Sequence, residues 1–230
     1  MQRSARRVLL AWSGGKDSAW ALHALRASNL EIAGLFTTVH EDTGRVAIHA
    51  VRTTLLEKQA RAVGVPLHPL SIPHDCPNAV YERRLARFVE TAKSQGITDL
   101  AFGDLFLEDI RRYREGQFAG AGVGLLFPLW GLPTRALAEE MTASGLRAWI
   151  SCVDTTQAPA AWAGRVFDGE FVRQVPAPID PCGENGEFHT FVFDGPMLRH
   201  ALKTAIGRIS QEGRWAYADV VSAGGEAVPG

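Results

Sequence analysis

Six consecutive residues near the start of the chain have the types and order of an anion-binding loop: Ser13, Gly14, Gly15, Lys16, Asp17 and Ser18. Paired glycines allow a sharp turn and a close approach of the backbone to a ligand, so successive N–H groups can surround a phosphate. The lysine adds a positive charge, and the two serines add hydroxyl donors. These six residues, here called the phosphate loop, predict phosphate binding.

The phosphate loop also has a purely structural interpretation, as a strand-to-helix turn with Asp17 or Ser13 as the helix N-cap. Its spacing matches neither GxxxxGK[ST] nor GxGxxG. The context favours phosphate, because the loop follows an apolar run at residues 7–12 and opens a helical pattern at residues 17–27. The positive end of that helix would then face the ligand.

The elements that must position this loop alternate over the first hundred residues. Strand-like runs are predicted at residues 7–12, 31–39, 67–72 and 99–105, and helices at residues 17–27, 51–63 and 78–95. Such alternation predicts an α/β fold with a mainly parallel sheet and helices on its faces. Ligands of such sheets bind at the carboxyl ends of the strands.

The second half has a different texture, with glycines that interrupt the chain and shorter periodic segments. We predict helices at residues 134–143 and 197–210 and strands at residues 146–153, 165–172, 188–193 and 215–221. This pattern predicts a smaller α+β domain. The expected organisation is a first domain at residues 1–125, a second at 126–222 and a flexible tail at 223–230.

Composition narrows the function classes. With 24 Lys and Arg against 25 Asp and Glu, the net charge of −1 does not favour a nucleic-acid-binding surface. Residues 1–115 carry 16 basic and 13 acidic side chains, whereas residues 116–230 carry 8 and 12. Three scattered cysteines, no signal-like segment and no membrane-length apolar run predict a cytoplasmic protein without membrane contact.

The phosphate loop resembles the SGGxDS pyrophosphate loop of the adenine-nucleotide α-hydrolase-like (PP-loop) enzymes, which include the N-type ATP pyrophosphatases. Three further segments, residues 103–109, 128–131 and 182–190, resemble successive signatures of the diphthine-ammonia ligase family. The resemblance implies a Rossmann-like (HUP-type) ATP-binding domain followed by a smaller substrate domain. It also implies that a carboxylate is adenylated and then converted to an amide by ammonia, with release of pyrophosphate and AMP.

One departure from the family pattern concerns the last signature. Members that modify elongation factor 2 resemble GEGGEFET there, whereas residues 183–190 read GENGEFHT. This variant resembles a largely bacterial branch, for which a role in cobalamin-related metabolism is one suggestion. We therefore expect an acceptor other than diphthine, and a homodimer is left open.

The resemblance assigns the phosphate loop to the pyrophosphate leaving group, whose growing charge needs donors and usually Mg²⁺. Lys16 is a catalytic candidate, and Asp17 is either a Mg²⁺ ligand or a helix cap. Asp104 follows Gly103 at the end of a predicted strand, where both would contact the nucleotide and the carboxylate would be catalytic. The alternative for Asp104 is the N-cap of the next helix, in which Arg111, Arg112 and Arg114 contact phosphate or face solvent.

The segment at residues 182–190, here called the acidic loop, is the candidate acceptor pocket. Glu184 and Glu187 could bind ammonium, orient an amine or act as general base, and His189 could transfer a proton near neutral pH. Asn185 and Gly186 are also typical of a tight turn, so a structural role for this loop stays open. A single histidine without a second His or Cys at ligand spacing argues against zinc.

Two further side chains have an open role. Cys182 could be a nucleophile, but a packed cysteine is favoured. His49 could reach the strand ends or be a solvated residue at a helix start. A sensor that binds ATP or AMP without turnover, and a cobalamin-related amide-forming or salvage enzyme, are the alternative functions. A tRNA-modifying enzyme is disfavoured by the charge balance and by the lack of a CxxC pair.

Overall fold

The structure is a computed structural model, and it describes residues 6–28, 30–42 and 51–223. Its first half forms a sheet of five parallel strands in the order β3-β2-β1-β4-β5. These strands are β1 Arg7–Ala11, β2 Glu31–His40, β3 Leu67–Ile72, β4 Asp99–Ala101 and β5 Gly124–Leu126. The order reverses direction between β1 and β4, and such a switch point is the usual place for a ligand.

Four helices connect these strands: α1 Lys16–Arg26, α2 Thr53–Val63, α3 Asn78–Ser94 and α4 Glu108–Gln117. Their buried residues form two apolar clusters. One contains α1 and α2, and the other contains α3. Because helices cover both faces of the sheet, the central strand β1 can be apolar throughout its middle, with Val8, Leu9 and Leu10 buried. The predicted Rossmann-like parallel sheet is confirmed.

The second half is a smaller antiparallel sheet with two helices, α5 Thr134–Ala143 and α6 Gly169–Gln174. Its strands are β6 Arg147–Asp154, β7 Val166–Phe167, β8 Phe188–Asp194, β9 Thr204–Glu212 and β10 Trp215–Ser222. The central strand β6 pairs with β8 on one side and with β7 and β10 on the other. β9 extends the sheet beyond β10. The predicted α+β character of this half is confirmed.

The two halves share one apolar core, and β8 joins them directly. The N–H of Val192 in β8 donates to the carbonyl oxygen of Gly14 at 2.9 Å. The main-chain N–H of Lys16 donates to Thr190 Oγ1 at 3.0 Å. The sheet of the second half therefore holds the phosphate loop of the first half.

Two predicted segments of the second half are wrong. Residues 197–210 were expected to be helical, but the chain is irregular up to residue 203 and then forms β9. The apolar residues Leu198, Leu202, Ile206 and Ile209 have helical spacing, yet pairing with β10 decides the conformation. Residues 165–172 were expected to be a strand, but only β7 is extended. The Asp168 side chain accepts from the N–H of Phe171 at 2.9 Å and starts α6.

Two smaller differences lie in the first half. The fourth strand was expected to continue to residue 105 but ends at Ala101, and β5 was not predicted. β5 has three residues and pairs with β4 alone, so its pattern is too short to recognise.

No helix in the described part of the chain is long and apolar enough to cross a membrane.

Candidate active site

A cavity of about 420 Å³ opens at the carboxyl ends of the parallel strands. The phosphate loop forms its floor, and residues 36–38 of β2 form one wall together with residues from α3 and α4. The acidic loop closes the other side through Gly183, Glu184, Phe188, His189 and Thr190. One cavity is thus lined by both halves of the protein and by both predicted functional loops.

The phosphate loop has the conformation that its glycines predicted. Gly14 has a φ of +80°, and Gly15 is the N-cap residue of α1. The Ser13 hydroxyl accepts from the Gly15 N–H at 3.2 Å, and the Ser18 hydroxyl donates to the Gly15 carbonyl at 2.9 Å. Asp17 lies in the first turn of α1, so neither Asp17 nor Ser13 is the N-cap residue of that helix. Gly15 has no side chain to cap α1, and the first N–H of the helix, that of Lys16, is held by Thr190.

Gln59 in α2 supports this loop, and sequence reasoning missed it. The side chain is fully buried, and its Nε2 donates to the carbonyl oxygens of Gly14 at 3.0 Å and Val192 at 2.7 Å. Its Oε1 accepts from Trp12 Nε1 at 2.9 Å. Every donor of the amide is used, and the three contacts join the residue after β1, the phosphate loop and β8. Gln59 is a positioning residue for the loop.

The Lys16 side chain is 2% exposed and extends toward the second half. Its Nζ donates to Asp17 Oδ2 at 2.7 Å and lies 5.8 Å and 5.5 Å from the ring centres of Phe167 and Phe188. Burial opposes the charged form, but Asp17 and further acidic groups outweigh burial and raise the pKa of Lys16. The ammonium is a fixed positive charge at the boundary between the two loops.

Asp17 has one free oxygen that suits a metal ion. Its Oδ1 is buried and has no hydrogen-bond donor among the described residues, while burial raises the pKa of the carboxyl. Mg²⁺ is usually bound through one or two carboxylates together with substrate phosphates. No cluster of three or more His, Cys, Asp or Glu in the described ranges could hold a metal by itself. The residues fit a Mg²⁺ ion carried by a nucleotide.

Gly103 and Asp104 line the cavity directly after β4. A Cβ on Gly103 would come within 2.9 Å of the Asp17 carbonyl, so this position lets the chain pass close to the start of α1. The Asp104 carboxylate pairs with Arg114 through two bonds, of 2.6 Å and 3.0 Å. Leu107 is the N-cap residue of α4, so the capping role of Asp104 is excluded.

Arg114 is the one arginine of the predicted basic cluster at residues 111–114 that lines the cavity. Its guanidinium lies 4.3 Å from the ring centre of Phe102. Arg111 instead pairs with Glu115 at 2.9 Å and stacks on Trp130. Of these three arginines, Arg114 is therefore the one that can contact a phosphate in the cavity. To do so it must exchange or share its bond with Asp104.

Glu184 faces the cavity from the acidic loop. Its Oε1 accepts from the Leu105 N–H at 2.7 Å, and its own N–H donates to Asp180 Oδ2 at 2.8 Å. Burial raises the pKa of Glu184 to about 7, although the Leu105 N–H acts in the opposite direction. A carboxyl with this pKa can accept or donate a proton at neutral pH.

Glu187 has a different environment, three residues further along. It is 4% exposed and does not line the cavity. Its Oε1 accepts from the Asp180 N–H at 2.9 Å and from Asn185 Nδ2 at 3.0 Å, while Oε2 is buried without a partner in the described chain. These contacts hold the turn of the acidic loop. The structure brings Glu184, but not Glu187, to the phosphate loop.

His189 lines the cavity, and its ring stacks on Trp215 with 6.4 Å between centres. Burial, assisted by the charge of Lys16, lowers the pKa of His189 to about 4. The imidazole is therefore neutral at pH 7, and the expected proton transfer near neutral pH is not matched by this pKa. Thr190 follows, and its hydroxyl holds the main chain of Lys16.

The sequence left the roles of Cys182 and His49 open, and the structure describes the first of these two residues. Cys182 is 1% exposed, its Sγ lies 3.4 Å from the Thr134 carbonyl, and burial raises the pKa of the thiol. A buried, protonated thiol is a poor nucleophile. His49 lies outside the described residues.

The deeper wall of the cavity is apolar and was not predicted. It is formed by side chains of β2, α3 and α4 and of the residues directly after β4 and α4, namely Phe36, Leu85, Ile110, Phe102 and Phe118. These residues are far apart in sequence, and each looked like an ordinary core position. An apolar pocket beside an anion-binding loop suits a base attached to phosphates.

Comparison with known proteins agrees with this geometry. A family model described as the diphthamide synthase N-terminal domain matches residues 6–117, and one described as the C-terminal domain matches residues 133–224. The tRNA-specific 2-thiouridylase MnmA of Campylobacter lari is 28% identical over an alignment of 118 residues that covers 42% of this chain. The chain spans about a third of that relative, 34% of its length. The two family models cover both halves and both loops, and the chain belongs to the diphthine-ammonia ligase family of PP-loop, ATP-utilising proteins.

Proposed function

We propose that this protein is an ATP-dependent ligase that adenylates a carboxylate and converts it to an amide with ammonia. One observation carries the proposal. The phosphate loop and Glu184, whose pKa is raised to about 7, line the same cavity from opposite halves of the chain. This arrangement places a nucleotide beside a group that can exchange a proton at neutral pH.

The phosphate loop and its surroundings bind ATP in this proposal. A carboxylate oxygen of the acceptor attacks the α-phosphorus, the bond to the β-phosphate oxygen breaks, and pyrophosphate leaves. The hydroxyls of Ser13 and Ser18 and main-chain N–H groups of the loop stabilise the charge that grows on pyrophosphate. Gln59 holds the Gly14 carbonyl and Thr190 holds the Lys16 N–H, and these two contacts fix the shape of the loop. Gly103 and Asp104 complete the nucleotide side of the cavity. Arg114 orients the carboxylate of Asp104.

A Mg²⁺ ion held by Asp17 Oδ1 and the nucleotide phosphates would supply charge neutralisation on the leaving group. Lys16 keeps its own positive charge between Asp17 and the aromatic rings of the second half. At that place it stabilises the negative charge of the acceptor carboxylate and of the mixed anhydride. We therefore assign Lys16 to the acceptor side of the cavity and not to the β- and γ-phosphates.

Glu184 acts in the second step of the proposal. Ammonia attacks the acyl carbon, the resulting ammonium group loses a proton to the Glu184 carboxylate, and AMP leaves with the electron pair of the broken C–O bond. The raised pKa of Glu184 suits both steps of this proton transfer, because the carboxyl can accept the proton and later release it to solvent. Glu187 is assigned the role of a positioning residue that holds the turn.

The acceptor is proposed to differ from diphthine. A neutral His189 lies where the other form of the signature has a glutamate, so this wall of the cavity carries one negative charge less. A small-molecule acceptor, including a cobamide-related carboxylate, is consistent with that change. We place the reaction in the cytoplasm and propose no nucleic-acid substrate, because the charge balance is near zero.

The test is a product analysis with ¹⁵N-ammonium, ATP, Mg²⁺ and a panel of small carboxylic acids. We expect AMP and pyrophosphate in equal amounts, together with a ¹⁵N-labelled amide, whenever an accepted acid is present. Formation of ADP and phosphate would contradict the proposal. Tight binding of ATP with no AMP from any acid or from cell extract would instead support the sensor.

A further inference from the structure

We propose that a second cavity, separate from the nucleotide cavity, binds a small molecule that carries a phosphate or pyrophosphate group. It has a volume of about 500 Å³ and lies between α2, the segment at residues 200–204 and the end of β10. It shares no lining residue with the cavity at the phosphate loop. We call it the basic cavity.

The walls of the basic cavity carry positive charge only. Its titratable lining residues are Lys58, Arg61, His200 and Lys203, and no Asp or Glu lines it. Lys58 and Arg61 are one helical turn apart on α2, so they point to the same side. In the described part of the chain, neither these two residues nor Lys203 forms an ion pair with a carboxylate.

Two further arginines lie beside the basic cavity. Arg199 directly precedes the cavity, and its guanidinium packs against Gly64 at the end of α2. Arg26 lies close by and donates to the Met197 and Val63 carbonyls. Burial and the charge of Arg199 both lower the pKa of Arg26. Cations therefore gather on this side of a chain whose total charge is −1.

The chemistry of the walls indicates the class of ligand. Several cations in one concave site repel each other, and an anion with two or more charges relieves that repulsion. Two hydroxyl groups, of Thr204 and Ser222, supply neutral donors, and Lys58 Nζ already lies 2.6 Å from the Ser222 oxygen. Leu55 and Leu202 leave room for a small apolar part of the ligand. A phosphorylated small molecule can pair with the cations, accept from the hydroxyl groups and place an apolar part against the two leucines.

The experiment uses the full chain with its nucleotide cavity filled by α,β-methylene-ATP and excess Mg²⁺. Inorganic pyrophosphate is then titrated while the indole N–H signal of Trp149 is followed by ¹⁵N NMR. Trp149 is a suitable reporter because its Nε1 donates to Thr204 Oγ1 at 3.0 Å, and Thr204 lines the basic cavity. The signal is assigned with Trp149→Phe.

We expect a saturable shift of the Trp149 signal and at least tenfold weaker binding in the double variant Lys58→Gln, Arg61→Gln. The matched control is Arg83→Gln, Arg87→Gln, which removes the same charge from exposed positions on α3 and should leave the affinity unchanged. Absence of a saturable shift, or equal weakening in both double variants, would overturn the proposal. Displacement of pyrophosphate by a short mixed-sequence RNA at lower concentration would overturn it in favour of a nucleic-acid surface.

Discussion

The phosphate loop and the acidic loop line the same cavity but present different chemistry to it. The phosphate loop offers main-chain N–H groups, and two buried side chains fix its shape: Gln59 donates to the Gly14 carbonyl, and Thr190 accepts from the Lys16 N–H. The acidic loop offers side chains, of which Glu184 and His189 have pKa values moved to about 7 and about 4 by burial. Nucleotide binding thus depends on backbone shape, and the proposed acceptor chemistry depends on titratable groups.

The largest effect that distinguishes the two loops should come from alanine at two glycines with positive φ. A Cβ at Gly14 would lie 2.6 Å from Leu56 Cδ2 and 2.8 Å from Gln59 Oε1, whereas a Cβ at Gly186 meets nothing within 4 Å. Gly186→Ala should cost about 1 kcal/mol of unfolding free energy, from the backbone alone. Gly14→Ala should cost more and weaken binding of α,β-methylene-ATP more than tenfold.

Urea unfolding and titration with the ATP analogue measure both quantities for the glycine pair. Gly186→Ala should keep the wild-type affinity, since the acidic loop does not hold the phosphates in this account. Equal loss of affinity in both variants would show that the division between the loops is mistaken.

The next effect separates the two glutamates of the acidic loop. Glu184→Gln keeps the shape of the side chain but removes the proton acceptor, so kcat should fall by about 10² to 10⁴ while the analogue binds as before. Glu187→Gln should change kcat less than tenfold and instead lower stability, because a buried loop contact is altered. Steady-state kinetics on the accepted acid and urea unfolding test this, and reversed effects would exchange the two assignments.

A smaller effect concerns the support of the phosphate loop. Gln59→Leu leaves Trp12 Nε1 and the Val192 carbonyl without their partner, which should cost about 1–3 kcal/mol of unfolding free energy. We expect KM for ATP to rise about tenfold with kcat little changed. Gln95→Leu, at an exposed position, is the matched control and should stay within about 0.5 kcal/mol. A fall in kcat with unchanged KM would argue against positioning by Gln59.

The last comparison concerns the pH dependence of stability. The pKa of Glu184 is about 7 in the folded protein against an ordinary value of 4.5, so the folded state binds more protons between these values. Stability should therefore decrease as pH rises from about 4.5 to 7 because of this group, and Glu184→Gln should remove that part of the slope. Urea unfolding across this range measures it. An unchanged slope would mean that the pKa of Glu184 is not raised.

His189 has the opposite dependence. Its pKa is lowered to about 4, so the unfolded state binds the proton more readily below pH 6.5. This group should lower stability as pH falls from about 6.5 to 4. A limb near pH 6.5 in the activity profile, absent in His189→Asn, would contradict a neutral imidazole.

The sequence was sufficient where local patterns decide the structure. β3 and α5 were predicted with their observed bounds, and the phosphate loop adopts the turn that its glycines indicated. Residues 197–210 were mispredicted because their helical spacing is overruled by pairing with β10. The spacing of apolar residues within a segment gives no information about the strand with which that segment pairs.

The same distinction applies to the site. Residues 13–18 were singled out by their types and order, and Glu184 was singled out because residues 182–190 resemble a family signature. The contacts of Gln59 and Thr190 with the phosphate loop could not be identified in this way, because they span 45 and 174 positions of sequence. The different environments of Glu184 and Glu187 also depend on contacts with Leu105 and Asp180 that only the folded chain provides.

The most direct test of the account is a crystal structure of the full chain with α,β-methylene-ATP and Mg²⁺. The account predicts the β- and γ-phosphates against the phosphate loop and the α-phosphorus facing Glu184 across the cavity. A triphosphate bound away from the phosphate loop, or a γ-phosphate facing Glu184, would contradict it.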